Sequence, residues 1–332
     1  MKKAIIFVMI SLVMVTGCGS KKERTVEKTS EDTVTVKNYA KAEGSEQWQE
    51  KDQTFENVPQ KVVANTRPAA ELLLHLGLKD NIAGVGAVFG APDKTVEKEF
   101  DSLNQLSKDY IGKETALSVD PDLVYGRGGL FDNQDWGVGT VNSLNDMGIK
   151  TYVLNSSVTG GTFNSVYDDI DQLGEIFHVS DKADQFKKEL KDRQAAIDQK
   201  LEKIKETQTF AYIHTTDPKE LYVYPAYNET FFNDIFSMVK LDNLFKNEKG
   251  EVSLETLIQT DPDVLIVADW QTYQNGISGD QMVEAVLNNE KLSTMKAIKN
   301  KKVYAVDYNY MFGYGYQSLD GIEKLADEMY PN

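Results

Sequence analysis

The chain reads as an α/β protein: two lobes of mostly parallel sheet flanked by helices, joined by one long interlobe helix. Three observations predict this. Glu114 to Val124 (ETALSVDPDLV) and Glu255 to Leu265 (ETLIQTDPDVL) carry one phrase, Glu-Thr, then Asp-Pro-Asp, then an apolar run. The copies lie near the middle of each half of the chain, far beyond the roughly 20–50-residue period of a solenoid, so they point to two lobes of similar design. Short β-branched runs alternate with helical segments that end in glycine, the rhythm of parallel α/β layers. Finally, a charged stretch after Val179 contains neither Gly nor Pro and is long enough to bridge two lobes. Facing lobes make a cleft, where ligands bind.

Lys2 and Lys3 precede the apolar run Ala4 to Val15. That run is shorter than the about 20 residues of a spanning helix and suits a signal-peptide core. Val15-Thr16-Gly17-Cys18 follows and resembles the bacterial lipobox, which implies a signal peptide over residues 1–17 and lipidation of Cys18. Cys18 is the one cysteine in the chain, which precludes an intrachain disulfide and argues against a thiol enzyme. Residues 18–52 are mostly Lys, Glu, Thr, Ser and Asp and bury too little surface to offset ordering. They read as a lipid-anchored flexible tether, with Val34 to Tyr39 the part able to join the fold as an edge strand.

Residues 53–160 form the first lobe. Lys61 to Asn65, Asn81 to Val85, Asp122 to Tyr125 and Lys150 to Leu154 are its strands. Leu72, Leu73 and Leu76 share one helical face that Gly77 ends as a C′ residue. Val141 to Met147 is a second helix, stopped at Gly148. Residues 161–206 form a helical connection whose second part opens at Ser180-Asp181, an N-cap pair. It runs for about 25 residues, or about 37 Å. The second lobe, 207–332, carries strands at Thr209 to His214, Leu221 to Tyr224, Val264 to Ala268 and Lys302 to Val306. Its helices span about 230–238 and 319–329. Asp120-Pro121 and Asp261-Pro262 are turns that start strands, because proline fixes φ and donates no hydrogen bond.

The net charge of −16 argues against nucleic acid or an anionic membrane surface as partner. No G-x-S-x-G, H-E-x-x-H, P-loop or strand-borne G-x-G-x-x-G occurs, which leaves a lipid-anchored surface enzyme as the rival class without a motif to support it. His75, His178 and His214 are the three histidines and show no ligand spacing, so direct metal ligation is disfavoured.

VVANTRPAAELLLHLGL, KETALSVDPDLVYGRGG, the single interlobe helix, LETLIQTDPDVLIV and the tail KNKKVYAVDYN…SLDGIEKLADEMYP occur in that order behind the lipobox. From about Phe55 onward the chain resembles the substrate-binding lipoproteins of ABC importers for ferric siderophores, haem and cobalamin. The resemblance implies a non-enzymatic monomer outside the cell membrane, held there through lipid on Cys18 alone. Its partners would be ABC permease subunits with a cytoplasmic ATPase. It needs no cofactor; the cargo would be a metal chelate, a ferric siderophore first, with haem and corrinoid open. Glu114 and Glu255 match the family's paired glutamates, one per lobe, that meet permease arginines. Each is equally the kind of acid a helix N-terminus favours.

In two-lobed α/β proteins ligands lie at the carboxyl ends of the strands. Those ends hold Asn65, Thr66, Arg67, Val88, Phe89, Tyr125, Arg127, Phe131 and Trp136 on the first lobe. On the second they hold His214, Tyr224, Tyr227, Trp270, Tyr273 and the aromatics of Tyr308 to Tyr316. Arginine grips anionic oxygens through its rigid fork and aromatics cover flat apolar faces. The candidate ligand residues are therefore Arg67, Arg127, Tyr125, Trp136, His214, Tyr227, Trp270, Tyr273 and Tyr310. For haem, His214, Met311 or a tyrosine is available to cap the iron. His75 sits in the Leu-rich helix as a structural residue.

Overall fold

Each lobe grows from a sheet whose strands are apolar on both faces. The computed structural model describes residues 33–331 apart from 43, 46, 274 and 275; residues 1–17, expected as a signal peptide, Cys18 and residues 19–32 lie outside the described residues. The described chain opens with β1 (Val34–Val36), β2 (Tyr39–Lys41), β3 (Trp48–Glu50) and β4 (Gln53–Phe55). β1 pairs with β4 and β2 with β3, both antiparallel. Ordered structure thus reaches back into the stretch expected to be a tether up to residue 52. The few apolar side chains there suffice because Val36 and Ala40 are buried against the lobe.

The first lobe continues with β5 (Val62–Ala64), α1 (Arg67–His75), β6 (Ile82–Val85), α2 (Glu97–Phe100), α3 (Lys113–Leu117), β7 (Leu123–Gly126), α4 (Val141–Asp146) and β8 (Lys150–Val153). The sheet order is β6-β5-β7-β8, all parallel. Side chains alternate across it as the pleat requires. Val62, Ala64, Leu123, Tyr125 and Tyr152 join the main core, while Val63, Val124 and Val153 form a second cluster with Val141 and Leu144 of α4.

The connection is α5 (Phe163–Ile176) and α6 (Ser180–Lys200). At 21 residues α6 spans about 31 Å, about a turn shorter than the ~25 residues expected of it. It is fastened to both lobes. Phe186 stacks on His75 of α1, ring centroids 4.2 Å apart. The second lobe comprises β9 (Gln208–Ile213), β10 (Val223–Tyr224), α7 (Thr230–Ser237), β11 (Leu241–Asn243), α8 (Leu254–Thr260), β12 (Val264–Asp269), α9 (Gly279–Leu287), α10 (Lys296–Lys299), β13 (Val303–Asp307), α11 (Tyr308–Phe312) and α12 (Ser318–Met329). Arg193 of α6 grips Glu323 of α12 through Nε at 2.9 Å and Nη2 at 2.7 Å. The sheet order is β10-β9-β12-β13, with β11 also on β9; only β10 is antiparallel.

The repeated phrase does the same work in both lobes. Helix α3 or α8 is followed by Asp120 or Asp261, each left-handed at φ 52°. Proline comes next, and then an aspartate that receives N–H donors from the neighbouring strand's start. Asp122 accepts from Gln60 N at 2.8 Å and Lys61 N at 2.9 Å. Asp263 accepts from Thr209 N at 2.8 Å and its hydroxyl at 2.7 Å. In each lobe the phrase sets the strand it begins beside the lobe's first parallel strand, β7 beside β5 and β12 beside β9.

Candidate functional site

Arg127 stands where β7 leaves the first sheet, and its backbone is clamped. The buried side chain of Asn65, at the end of β5, accepts from Arg127 N at 2.8 Å and donates to Arg127 O at 3.0 Å. Gly126 makes this approach feasible: its φ is +136°, and a Cβ there would lie 2.0 Å from Asn65 Oδ1. The guanidinium donates from Nη1 to Tyr110 Oη at 3.2 Å and lies 5.2 Å from the ring centre of Tyr314. No carboxylate among the described residues lies within ion-pair distance of it.

The second lobe supplies the opposite wall. Tyr314 donates to Glu229 Oε2 at 2.8 Å and Tyr224 to Oε1 at 3.2 Å, so two phenols share the one carboxylate. Tyr314 is itself left-handed at φ 52°, unusual for a bulky residue. Its carbonyl is held across the seam by Ser156 Oγ at 2.7 Å. Between these walls lies a cavity of about 330 Å³, reached by Arg127, Tyr314, Glu229, Tyr227, Lys41 and Trp48. Beside it an aromatic cluster closes the lobes on each other. Phe89 meets Tyr273 at 4.1 Å and Tyr110 at 5.4 Å, and Trp270 stacks on Tyr308 at 4.8 Å. Burial pushes the Tyr110 hydroxyl up to about 12, so at neutral pH it keeps its proton.

The structure brings only some of the expected ligand residues together. Arg127 and Tyr227 line the cavity. Tyr273, Trp270 and His214 belong to the adjoining cluster. Trp270 is buried with its Nε1 donating to Thr215 O at 2.6 Å, and burial depresses the His214 imidazole. Tyr310 borders a separate 200 Å³ pocket on the lobe seam. Arg67 does not reach the cavity: it donates twice to Val88 O, pairs with Glu71 at 3.2 Å and lies 4.0 Å from the Phe100 ring centre. Tyr125 is a correction too. It is fully buried among core side chains, because a sheet covered on both faces hides even the ends of its strands. Trp136 stands 45 % exposed and lines no part of the cavity.

Tyr110, Ser156, Glu229, Lys41 and Trp48 were missed. A lone tryptophan in an otherwise polar stretch was the available signal for Trp48; loop residues such as Tyr110 carry no periodicity. Glu114 and Glu255 are exposed in the first turns of α3 and α8, one on each lobe. The described residues contain no group of three or more His, Cys, Asp or Glu able to hold a metal ion. Nor does any described helix have the length and apolarity to cross a membrane.

A profile described as periplasmic binding protein matches residues 62–310, which takes in both sheets and the helical connection. The chain belongs to the periplasmic binding protein family. Within it, the chain is 24 % identical over 331 residues to the uncharacterized ABC transporter substrate-binding lipoprotein YvrC of Bacillus subtilis (strain 168), covering 98 % of this chain and 95 % of that one. Among solved structures it resembles a periplasmic binding protein from Veillonella parvula DSM 2008. That match has a TM-score of 0.76 and 23 % identity, over 90 % of this chain and 99 % of the other. It also resembles an ABC-type Fe3+-hydroxamate transport system from Saccharomonospora viridis DSM 43017, with TM-score 0.67 and 22 % identity, over 85 % and 96 %.

Proposed function

We propose that this chain is a lipid-anchored, extracytoplasmic binder that captures an anionic iron chelate, a ferric siderophore foremost, and delivers it to an ABC permease. One observation carries the reading: the Arg127 guanidinium, half-buried and without a carboxylate partner among the described residues, faces an interlobe cavity in a chain of net charge −16. A cation partly withdrawn from water gains from a paired anion, and an anionic ligand is the partner such a site would take. Carboxylate, catecholate and hydroxamate oxygens match the planar donor fork, and the surrounding phenols and rings suit the apolar body of a chelate. The relationship to an ABC substrate-binding lipoprotein and the structural likeness to a ferric-hydroxamate system support the same class. Binding is the whole task of this chain; the permease's ATPase supplies the energy.

In this reading Glu114 and Glu255 dock the two lobes onto permease arginines, fixing orientation and encounter more than adding affinity. The deciding experiment is a tryptophan-fluorescence titration with ferric hydroxamates, ferric catecholates, ferric citrate, haem and cobalamin, each beside its metal-free form where one exists. Saturable sub-micromolar binding of one iron chelate is expected. Binding of haem or cobalamin alone reassigns the cargo on the same scaffold, and no binding at all rejects the chelate reading. Reversing Glu114 or Glu255 to Lys is expected to abolish uptake in cells while leaving titration curves unchanged; lost ligand binding instead refutes the docking role.

A further inference from the structure

We propose that the β2–β3 hairpin is a third wall of the ligand cleft, with Lys41 and Trp48 contacting the anionic chelate. The proposal rests on the chelate reading above and extends it to a segment that precedes both lobes and lies outside the matched residues 62–310.

The hairpin is seated on the first lobe. Asn38, just before β2, is buried and pairs with the edge strand β8 as a peptide group would. Its Nδ2 donates to Thr151 O at 2.9 Å and its Oδ1 accepts from Val153 N at 2.9 Å. Lys51, just after β3, donates to the side chains of Asn142 and Asn145 on α4 at 2.8 and 3.1 Å. Between these two anchors the indole of Trp48 lies over Gly128, where a Cβ would come within 3.0 Å of its Cζ2. The glycine beside Arg127 thus makes room for a ring from the hairpin.

Trp48 borders two cavities at once. On one side is the 330 Å³ interlobe cavity; on the other is a 610 Å³ cavity reached by Lys37, Glu50, Asp168 and Asp171. The charges of the two differ. The interlobe cavity has Lys41 and Arg127 against a single carboxylate, Glu229, already occupied by two phenols. The second has one cation against three acids. Lys41 lies 5.5 Å from the Trp48 ring centre, and its Nζ is 3.6 Å from Asp132, a loose pairing that leaves donors free. An anionic chelate entering between the lobes would be met by Arg127 from the first sheet, by Lys41 from the hairpin and by the face of Trp48. The indole would hold it away from the acidic cavity, so the hairpin would set charge preference as well as affinity.

The test uses the full chain in detergent and three anionic probes, a ferric tricatecholate, ferric citrate and haem, with a neutral ferric trihydroxamate for comparison. Lys41→Gln and Trp48→Ala are each expected to weaken the best anionic probe by about tenfold. Trp48→Phe, which keeps a ring, should recover most of the loss. Circular dichroism and melting temperature verify that each variant is folded. The proposal is overturned if both folded variants bind within about twofold of the unaltered protein while Arg127→Gln loses binding. It is equally overturned if only the neutral chelate binds, unaffected by Lys41→Gln. Should the unaltered protein bind none of the probes, the chelate reading itself fails and this proposal with it.

Discussion

A guanidinium withdrawn from water ordinarily takes a carboxylate partner, and the two arginines at the strand ends of the first lobe divide on that point. Arg67 has Glu71 at i+4, fully buried, with Gln317 Nε2 at 3.0 Å and Asp93 N at 3.2 Å completing the carboxylate's contacts. Among the described residues the Arg127 guanidinium meets phenols instead. Arg67→Gln would strand a buried carboxylate and should destabilise the fold by about 3 kcal/mol with ligand affinity little changed. Arg127→Gln leaves no charge behind, so its melting temperature should stay near that of the parent while anionic-ligand affinity falls about tenfold or more. Calorimetric melting and ligand titration on the two variants separate the roles; equal affinity losses would sink the distinction. The sequence showed both arginines after strands but could not choose between them, although Glu71 one helical turn on was a readable sign that Arg67 was spoken for. Tyr125 offers a second test. Its hydroxyl is buried without a partner, so Tyr125→Phe should be neutral or stabilising by about 1 kcal/mol, with ligand titration unchanged; a loss of affinity would return Tyr125 to the cleft.

At the scale of elements, the duplicated Glu-Thr…Asp-Pro-Asp phrase was legible as an echo, and its proline was correctly read as the start of a strand. What the last aspartate of each copy does was hidden, because it acts on a strand some sixty residues upstream and only the sheet order brings the two together. Asp122 and Asp263 each collect two donors from that strand's start. Burial alone would raise the Asp263 carboxyl, but Lys296 and Thr209 hold it down at about 2. Asp122→Ala and Asp263→Ala should therefore each cost about 1–3 kcal/mol in urea unfolding. A cost near zero for both would show that the pairing of β5 with β7 and β9 with β12 needs no such pins. The hairpin before the first lobe was the least legible element. It has few apolar residues and is held by side-chain amides such as Asn38, whose bonds to β8 leave no mark in a hydrophobic pattern. Its polar sequence looked like tether because its partners are polar.

Across the whole molecule the two lobes and their single connecting helix were readable, because buried parallel strands are written as continuous apolar runs. The seam between lobes was not, since its contacts, aromatic and polar alike, join residues more than a hundred positions apart. Tyr316 donates to Asp93 at 2.6 Å, Asn309 to Phe89 O at 2.7 Å, Gln317 to Glu71, and Ala91 N to Asp307 Oδ2 at 3.1 Å. Asp307 makes that seam pH-dependent. Burial pushes its carboxyl up to about 6, opposed by N–H donors from Asn309 and Ala91, while the facing Asp269 on β12 adds a further rise. In the unfolded chain an aspartate titrates near 3.9, so between about pH 4 and 6 the folded protein binds the extra proton. Stability from this group is full below about pH 4 and is lost as pH climbs through 6. Asp93 has the opposite sign: burial would raise it, but His75, Thr95 and Tyr316 hold it well below the usual range, so its contribution is lost only as pH falls below about 4. The two windows do not overlap, but Asp169, which burial also pushes up to about 6, shares the Asp307 window, so the Asp307 part is read as the difference between parent and Asp307→Asn. The ligand-free protein should lose about 1–2 kcal/mol between pH 4.5 and 7.5 through Asp307, and that portion of the slope should vanish in Asp307→Asn. Parallel melting curves for parent and variant across the window would mean that Asp307 is already ionised at pH 4.5 and that the seam is held by its charge.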